Sequence, residues 1–234
     1  MSEPGNDSAI QRIVRSATKI EPHELNATLL SFAFVFTLMT AYFIMRPVRD
    51  AMASDWTDVE VSLLWSMTFF FSLIAVTVYG AIISTVRFRL LVPGVYAFFA
   101  ASFFAFYVGS SYVTNLVLVD KAFYVWLSVF SLFHVSVFWS FMSDLWNREQ
   151  APRLFGFIAT GSSVGAIVGP LITVLLVERI GTGNLMLTSA TLLLIPIPII
   201  FTLDRLKVTA LGNADVNVDL SAQRAMGKNP FAGF

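Results

Sequence analysis

The sequence contains no cysteine, and charged residues make up only 13% of its 234 residues. The absence of cysteine excludes disulfides and thiolate-bound metals as frameworks for the fold. A soluble domain has about 25% charged residues, so the few charges here cannot cover a water-exposed surface. The formal net charge of zero argues against a nucleic-acid partner.

The sequence also lacks the short motifs that carry chemistry in many enzymes. It has no P-loop, no zincin motif, no nucleophile elbow and no ligand spacing for haem or iron–sulfur clusters. We therefore expect neither an enzyme nor a bound cofactor or metal.

Long apolar stretches dominate the chain instead. Hydrophobic residues make up 56% of it, and its mean hydropathy is +0.74. Six stretches approach or exceed the roughly 20 residues with which a helix crosses a bilayer. Because the short alternating segments of a transmembrane β-barrel are absent, we predict an all-α membrane protein with six transmembrane helices. The stretches are Ala27–Met45, Val61–Val86, Leu90–Val119, Ala122–Ser143, Leu154–Val177 and Ile180–Leu203.

The Lys and Arg residues predict the orientation. With the N-terminus in the cytoplasm, eleven of the fifteen lie on the cytoplasmic side and four on the outer side. This asymmetry follows the positive-inside rule. An even number of crossings then places both termini in the cytoplasm, and we expect a multi-pass protein of the bacterial inner membrane, with the lipid bilayer as its surroundings.

The bundle is predicted to span residues 26–204, between two polar segments. In the tail, residues 1–25, the apolar residues 10, 13, 14 and 17 share one helical face. This spacing fits either a basic amphipathic helix on the membrane surface or an ordinary frayed tail. Residues 205–234 resemble a cytoplasmic linker, and we expect a second bundle to follow it.

The end of the first helix holds the best candidate site. If the helix continues to about Ala53, then Tyr42, Arg46, Arg49 and Asp50 share one face. One carboxylate offsets only one of the two guanidinium groups, so a positive charge is left over. An intramembrane cation is expected to face a polar cavity, where an anionic substrate would be a fitting partner. The alternative is a pair of arginines that anchors the helix at the outer headgroups.

The fourth stretch contains His134 near its middle. A histidine there is either a proton relay, because it titrates near neutral pH, or a hydrogen-bonded packing residue. We include His134 among the candidate substrate-site residues.

The fifth stretch carries small residues at a spacing of four. Gly161, Gly165 and Gly169 line one face and let a neighbouring helix approach closely, and Pro170 favours a kink. Close packing is the simpler interpretation, and a rocking helix is the functional one.

Charged residues lie in the two predicted cytoplasmic loops. They are Arg87 and Arg89 in the first loop, and Asp144, Arg148 and Arg153 in the second. The second set indicates either an ion-pair clasp or a solvated loop.

These features together resemble the N-terminal half of a major facilitator superfamily transporter. They are six helices, an N-terminus on the cytoplasmic side, a basic loop from Gly80 to Arg89, and the glycine–proline segment Gly165–Pro170. The resemblance implies half of a twelve-helix carrier, with the substrate near the midplane between parallel halves. The second half would be a missing C-terminal part or another chain.

A narrower resemblance is to the ATP/ADP translocase-like branch of these carriers. It rests on Tyr42–Asp50, Phe138–Met142 and Ala151–Gly156. It implies that Arg49 takes the family's substrate-contacting basic position. The nucleotide carriers have a glutamate in helix four, whereas Ala122–Ser143 contains no carboxylate, which favours a related anion carrier over nucleotide exchange.

Three functions are therefore open at this point. The first is a secondary transporter half that moves a small anionic solute by alternating access. The second is a nucleotide exchanger, and the third is a multi-pass protein with a structural or sensing role. The depth of Arg46 and Arg49 in the bundle separates transport from anchoring.

Overall fold

The computed structural model describes residues 20–83, 86, 88–112 and 116–212. Within these residues it is all-helical and has no strand, which confirms the predicted class. The predicted tail helix, Arg87 and the linker beyond residue 212 lie outside the described residues. The helices are α1 (Leu25–Ala53), α2 (Asp58–Ile83), α3 (Phe88–Tyr112), α4 (Leu116–Leu145), α5 (Ala151–Leu192) and α6 (Pro196–Thr209).

Five helical runs in the described part of the chain are long and apolar enough to cross a membrane. The helices α1 to α4 supply four of them. The fifth is the run Ala151–Thr209, which contains α5, a short turn and α6. Several apolar helices are therefore shown, and the fifth and sixth predicted stretches fall within one helical run.

The chain reverses direction inside that run, at Gly181. Gly181 has φ 76° and ψ 166°, a conformation open to glycine because it has no Cβ. The Thr173 hydroxyl donates to the Ile44 carbonyl at 2.9 Å, and the Ser189 hydroxyl donates to the Ala41 carbonyl at 2.8 Å. In a straight helix those two hydroxyls would lie about 24 Å apart, whereas their partners on α1 are only about 4.5 Å apart along its axis. The two arms of α5 therefore run in opposite directions along α1.

Glycines bring the first arm of α5 against α1. An added Cβ at Gly165 would lie 2.6 Å from the Phe36 carbonyl oxygen, and one at Gly169 would lie 2.6 Å from Phe43 Cβ. At Gly161 it would lie 2.8 Å from the Phe32 carbonyl oxygen. No side chain larger than hydrogen fits at this spacing, so the three glycines set the closeness of the two helices. Pro170 lies within α5 directly after this contact.

The core lies around α1, and α2 lies at its edge. Phe34 of α1 is fully buried, with edge-on ring contacts to Tyr96 and Phe138. By contrast, α2 has only two buried residues, Leu64 and Ser72, and packs mainly on α4. Most of the apolar surface of α2 is thus left for a non-aqueous environment.

Candidate functional site

Arg49 lies near the end of α1 and extends toward α4. Its Nη1 donates to the Ser128 hydroxyl at 3.2 Å, and its Cζ lies 5.3 Å from the centre of the Tyr124 ring. The side chain is only 14% exposed. Contact with an aromatic face stabilises a cation that has lost much of its water.

The Asp50 carboxylate interacts with both arginines near the end of α1. Arg49 donates to Asp50 Oδ1 from Nε at 2.9 Å and from Nη2 at 2.7 Å. Arg46 Nε lies 3.7 Å from Asp50 Oδ2, and the Arg46 side chain is 50% exposed. Two guanidinium groups therefore share one carboxylate, which leaves a net positive charge. With three of its five N–H groups used in these bonds, Arg49 keeps two for a ligand.

A cleft opens beside Arg49 and Asp50, with a volume of about 410 Å³. One wall comes from α2 and the other from α4, and the Trp65 indole N–H joins them by donating to the Tyr124 hydroxyl at 2.9 Å. The lining residues beyond α1 are Trp65, Thr68, Tyr124, Ser128, Ser131 and Leu132. Polar groups from three helices thus surround one partly buried guanidinium group.

The cleft reaches well below the helix ends. Ser128 lies twelve residues into α4, or about 18 Å along its axis, and the hydrocarbon core is about 30 Å thick. On α2, Trp65 lies seven residues after the first residue, or about 10 Å. The ion pair between Glu60 and Lys121 lies nearer the ends of the same helices. Arg49 therefore extends into the bundle, whereas Arg46 is half exposed and does not line the cleft.

Sequence reasoning missed the α2 and α4 members of this cleft. Their signal was nevertheless present, because Tyr124, Ser128 and Ser131 recur at helical spacing and put hydroxyl groups on one side of an apolar helix. Trp65 and Thr68 recur in the same way on α2. Helical spacing alone does not show that the two faces meet at Arg49.

His134 and Tyr42 lie in the core and do not line the cleft. His134 is 2% exposed, and its Nδ1 lies 3.0 Å from the Phe130 carbonyl oxygen. Its ring lies 4.7 Å from the Tyr42 ring and 4.9 Å from the Phe130 ring. Its Nε2 has no hydrogen-bond partner among the described residues. The His134 ring is thus enclosed by the Tyr42 and Phe130 rings, away from the cleft.

The charged residues predicted for the cytoplasmic loops pair with other helices. Arg153 Nη2 lies 2.8 Å from Glu24 Oε1, and Glu24 is only 1% exposed. Lys207, 3% exposed, lies 2.8 Å from Asp144. Arg89 pairs with Asp204 at 2.8 Å. Asp204 and Lys207, the partners of Arg89 and Asp144, both lie on α6. Arg148 is exposed in the turn between α4 and α5. These pairs join the ends of distant helices.

Among the described residues, no group of three or more His, Cys, Asp and Glu side chains is arranged to hold a metal ion. Comparison with family models, curated proteins and solved structures finds no match for this chain. The resemblance to the facilitator superfamily therefore rests on the sequence motifs alone.

Proposed function

We propose that this chain is half of a secondary transporter of the bacterial inner membrane, which moves a small anionic solute by alternating access. The observation that carries the proposal is the position of Arg49. Its guanidinium group is largely buried, extends from the end of α1 toward α4, and lines a cleft shared by α1, α2 and α4. A residue that only anchors the helix to headgroups would have no need of such a cleft.

The reversal at Gly181 supports two crossings within the run Ala151–Thr209, and the five apolar runs then provide six crossings. The second arm of α5 and α6 return along α1, and Lys207 of α6 pairs with Asp144 at the end of α4. Arg153 and Glu24 pair at the same end of the bundle. A sixth crossing brings the chain back to the side from which α1 starts, and we place both termini in the cytoplasm on the Lys and Arg asymmetry.

The chemistry of the cleft favours an anion. Arg49 lines the cleft and has two remaining N–H groups with which to hold carboxylate or phosphate oxygens, while the Asp50 carboxylate is shared with Arg46 outside the cleft. The hydroxyls of Thr68, Ser128 and Ser131 supply neutral polar contacts. A volume of about 410 Å³ suits a small solute.

Alternating access needs helices that can change partners. The helix α2 packs mainly on α4 and exposes large apolar residues, among them Phe69, Phe70 and Phe71. The first arm of α5 also exposes Ile167, Leu171, Val174 and Leu175. We assign these surfaces to lipid and to a second six-helix half.

Uptake by the full-length gene product in membrane vesicles tests the proposal. The probes are radiolabelled inorganic phosphate, glucose 6-phosphate, succinate and ATP, with glucose as the neutral control. We expect uptake of at least one anion, and Arg49→Ala is expected to lower it about tenfold or more, because charged hydrogen bonds contribute about 1.5–3 kcal/mol. Arg148→Ala serves as the matched control, because Arg148 is exposed outside the cleft.

The outcomes separate the three functions. Uptake of small anions that depends on Arg49 supports the proposal, and exchange restricted to ATP supports the nucleotide exchanger. Unchanged uptake in Arg49→Ala, at equal membrane insertion, would remove Arg49 from the site. No uptake of any probe would favour a structural or sensing role.

A further inference from the structure

A second cavity lies on the other side of α2 from the Arg49 cleft. It is a groove of about 1020 Å³ with α2 and α3 as its walls and α4 as its floor, and we name it the α2–α3 groove. It exists because α2 packs mainly on α4, whereas α3 packs on α4, α5 and α6. Nearly all of its lining side chains are apolar, among them Leu63, Met67, Phe71, Ala105, Phe106 and Val125.

The groove is as deep as one leaflet of a bilayer. On α2 it runs from Glu60 to Phe71, or about 16 Å along the axis, and half of the hydrocarbon core is about 15 Å. A hydrogen bond from the Trp126 indole N–H to the Ser102 hydroxyl, 2.7 Å long, joins α3 and α4 at the deep end. This shape fits an extended acyl chain that enters from the membrane surface.

Among the described lining residues, one ion pair lies at the surface end of the groove. Lys121 Nζ donates to Glu60 Oε1 at 2.6 Å, and the side chains are 25% and 40% exposed. Glu60 Oε2 also accepts from the Thr57 N–H and hydroxyl. Lys121 uses one of its three N–H groups in this pair and lies 5.8 Å from the centre of the Trp56 ring. The pair has no net charge, but offers a donor and an acceptor to a ligand.

We propose that the α2–α3 groove binds a zwitterionic glycerophospholipid with a primary-amine headgroup. One acyl chain fills the groove, the phosphate takes the remaining N–H groups of Lys121, and the headgroup ammonium lies against Glu60. Because the ion pair is neutral, a headgroup with both charges is matched better than a net anionic one. A choline headgroup has no N–H to donate to the carboxylate and is bound more weakly.

Native mass spectrometry of the purified full chain tests the headgroup assignment. The protein in detergent is mixed with phosphatidylethanolamine, phosphatidylcholine or phosphatidylglycerol of identical acyl chains. We expect one retained phosphatidylethanolamine, bound about tenfold more tightly than the other two lipids, because only its ammonium donates a charged hydrogen bond to the Glu60 carboxylate. Glu60→Gln is expected to abolish this preference, and Lys121→Met is expected to lower the retention of all three lipids because each carries the phosphate. Arg89→Gln, at the far end of the bundle, is expected to change neither.

A pair of glycine variants tests the acyl-chain part of the assignment. Gly109 lines the groove and Gly94 does not, and an added Cβ meets nothing within 4 Å at either position. Gly109→Leu fills the groove and is expected to abolish lipid retention, whereas Gly94→Leu on the same helix is expected to retain it. Equal retention of the three lipids, an ethanolamine preference that survives Glu60→Gln, or retention unchanged in Gly109→Leu would overturn the proposal.

Discussion

Arg49 of α1 donates a hydrogen bond to Ser128 of α4, and its guanidinium group also faces the Tyr124 ring one turn away. This contact positions the one largely buried arginine of the α1 end between two helices. The Trp65 indole, from α2, donates to the Tyr124 hydroxyl and fixes the same ring. Three helices therefore determine where the positive charge lies.

Changes at Tyr124 are expected to separate the role of its ring from that of its hydroxyl. Tyr124→Phe keeps the aromatic face over Arg49 and loses only the bond from Trp65, so we expect a small rise in KM for anion uptake. Tyr124→Leu also removes the cation–π contact, which contributes about 0.5–2 kcal/mol, and is expected to raise KM several-fold. Concentration-dependent uptake into vesicles measures both, and an equal effect of the two variants would contradict a role for the ring.

The contact between α1 and α5 is expected to tolerate no added methyl group. Gly165→Ala would place Cβ 2.6 Å from the Phe36 carbonyl oxygen, so the helices must separate. We expect a loss of about 1–3 kcal/mol of stability, as in other overpacked cores. Gly156→Ala is the matched control on the same helix, because nothing lies within 4 Å of its added Cβ. Unfolding in SDS titrations measures both variants, and equal stability of the two would show that α1 and α5 are not this close.

The pair between Arg153 and Glu24 is expected to stabilise the end of the bundle at which α1 and α5 begin. Glu24 is 1% exposed, so Arg153→Met leaves a buried carboxylate without its cation, which costs about 3–5 kcal/mol. The double variant Glu24→Gln with Arg153→Met is expected to recover part of this loss because no buried charge remains. Thermal unfolding of the purified protein measures each variant. A single variant as stable as the starting protein would contradict the buried pair.

His134 is expected to be replaceable by an aromatic residue. Its ring lies between Tyr42 and Phe130, and its Nε2 has no partner among the described residues. We expect His134→Phe to fold and to leave the pH dependence of anion uptake unchanged, at a cost of about 1 kcal/mol for the lost bond to Phe130. Uptake measured across a pH series tests this. A lost pH dependence would instead support a proton relay.

The features that sequence predicted best are those set by local pattern. The continuation of α1 to Ala53, through Pro47, follows from the shortness of the apolar run Ala27–Met45 for a crossing, and the close approach of Gly165 to α1 follows from four-residue spacing. Both depend on residues within one helix, which is why a single sequence contains the information.

The features that the sequence did not predict depend on how segments that are distant in the chain pack against one another. Arg46 and Arg49 are about 60° apart around a helix. Because of that difference, the Arg46 side chain is half exposed, whereas the Arg49 side chain extends toward Ser128. The partners Glu24 and Arg153 are 129 residues apart in the sequence. No periodicity in the sequence specifies such a pair, because it arises from the packing of whole helices.

Cysteine accessibility tests most directly whether Arg49 faces an aqueous, anion-selective cleft. The chain contains no cysteine, so single replacements report only their own position. Ser128 lines the cleft, whereas Ser66 is exposed on α2 and lines neither cavity, so Ser66→Cys is the matched control for Ser128→Cys.

The measurement is the rate at which water-soluble thiosulfonates of opposite charge modify the two cysteines in membranes. We predict that Ser128→Cys reacts, that the anionic reagent reacts faster than the cationic one, and that this preference disappears when Arg49→Gln is added. Ser66→Cys is predicted to remain unmodified. An unreactive Ser128→Cys, or a charge preference unchanged by Arg49→Gln, would contradict the account.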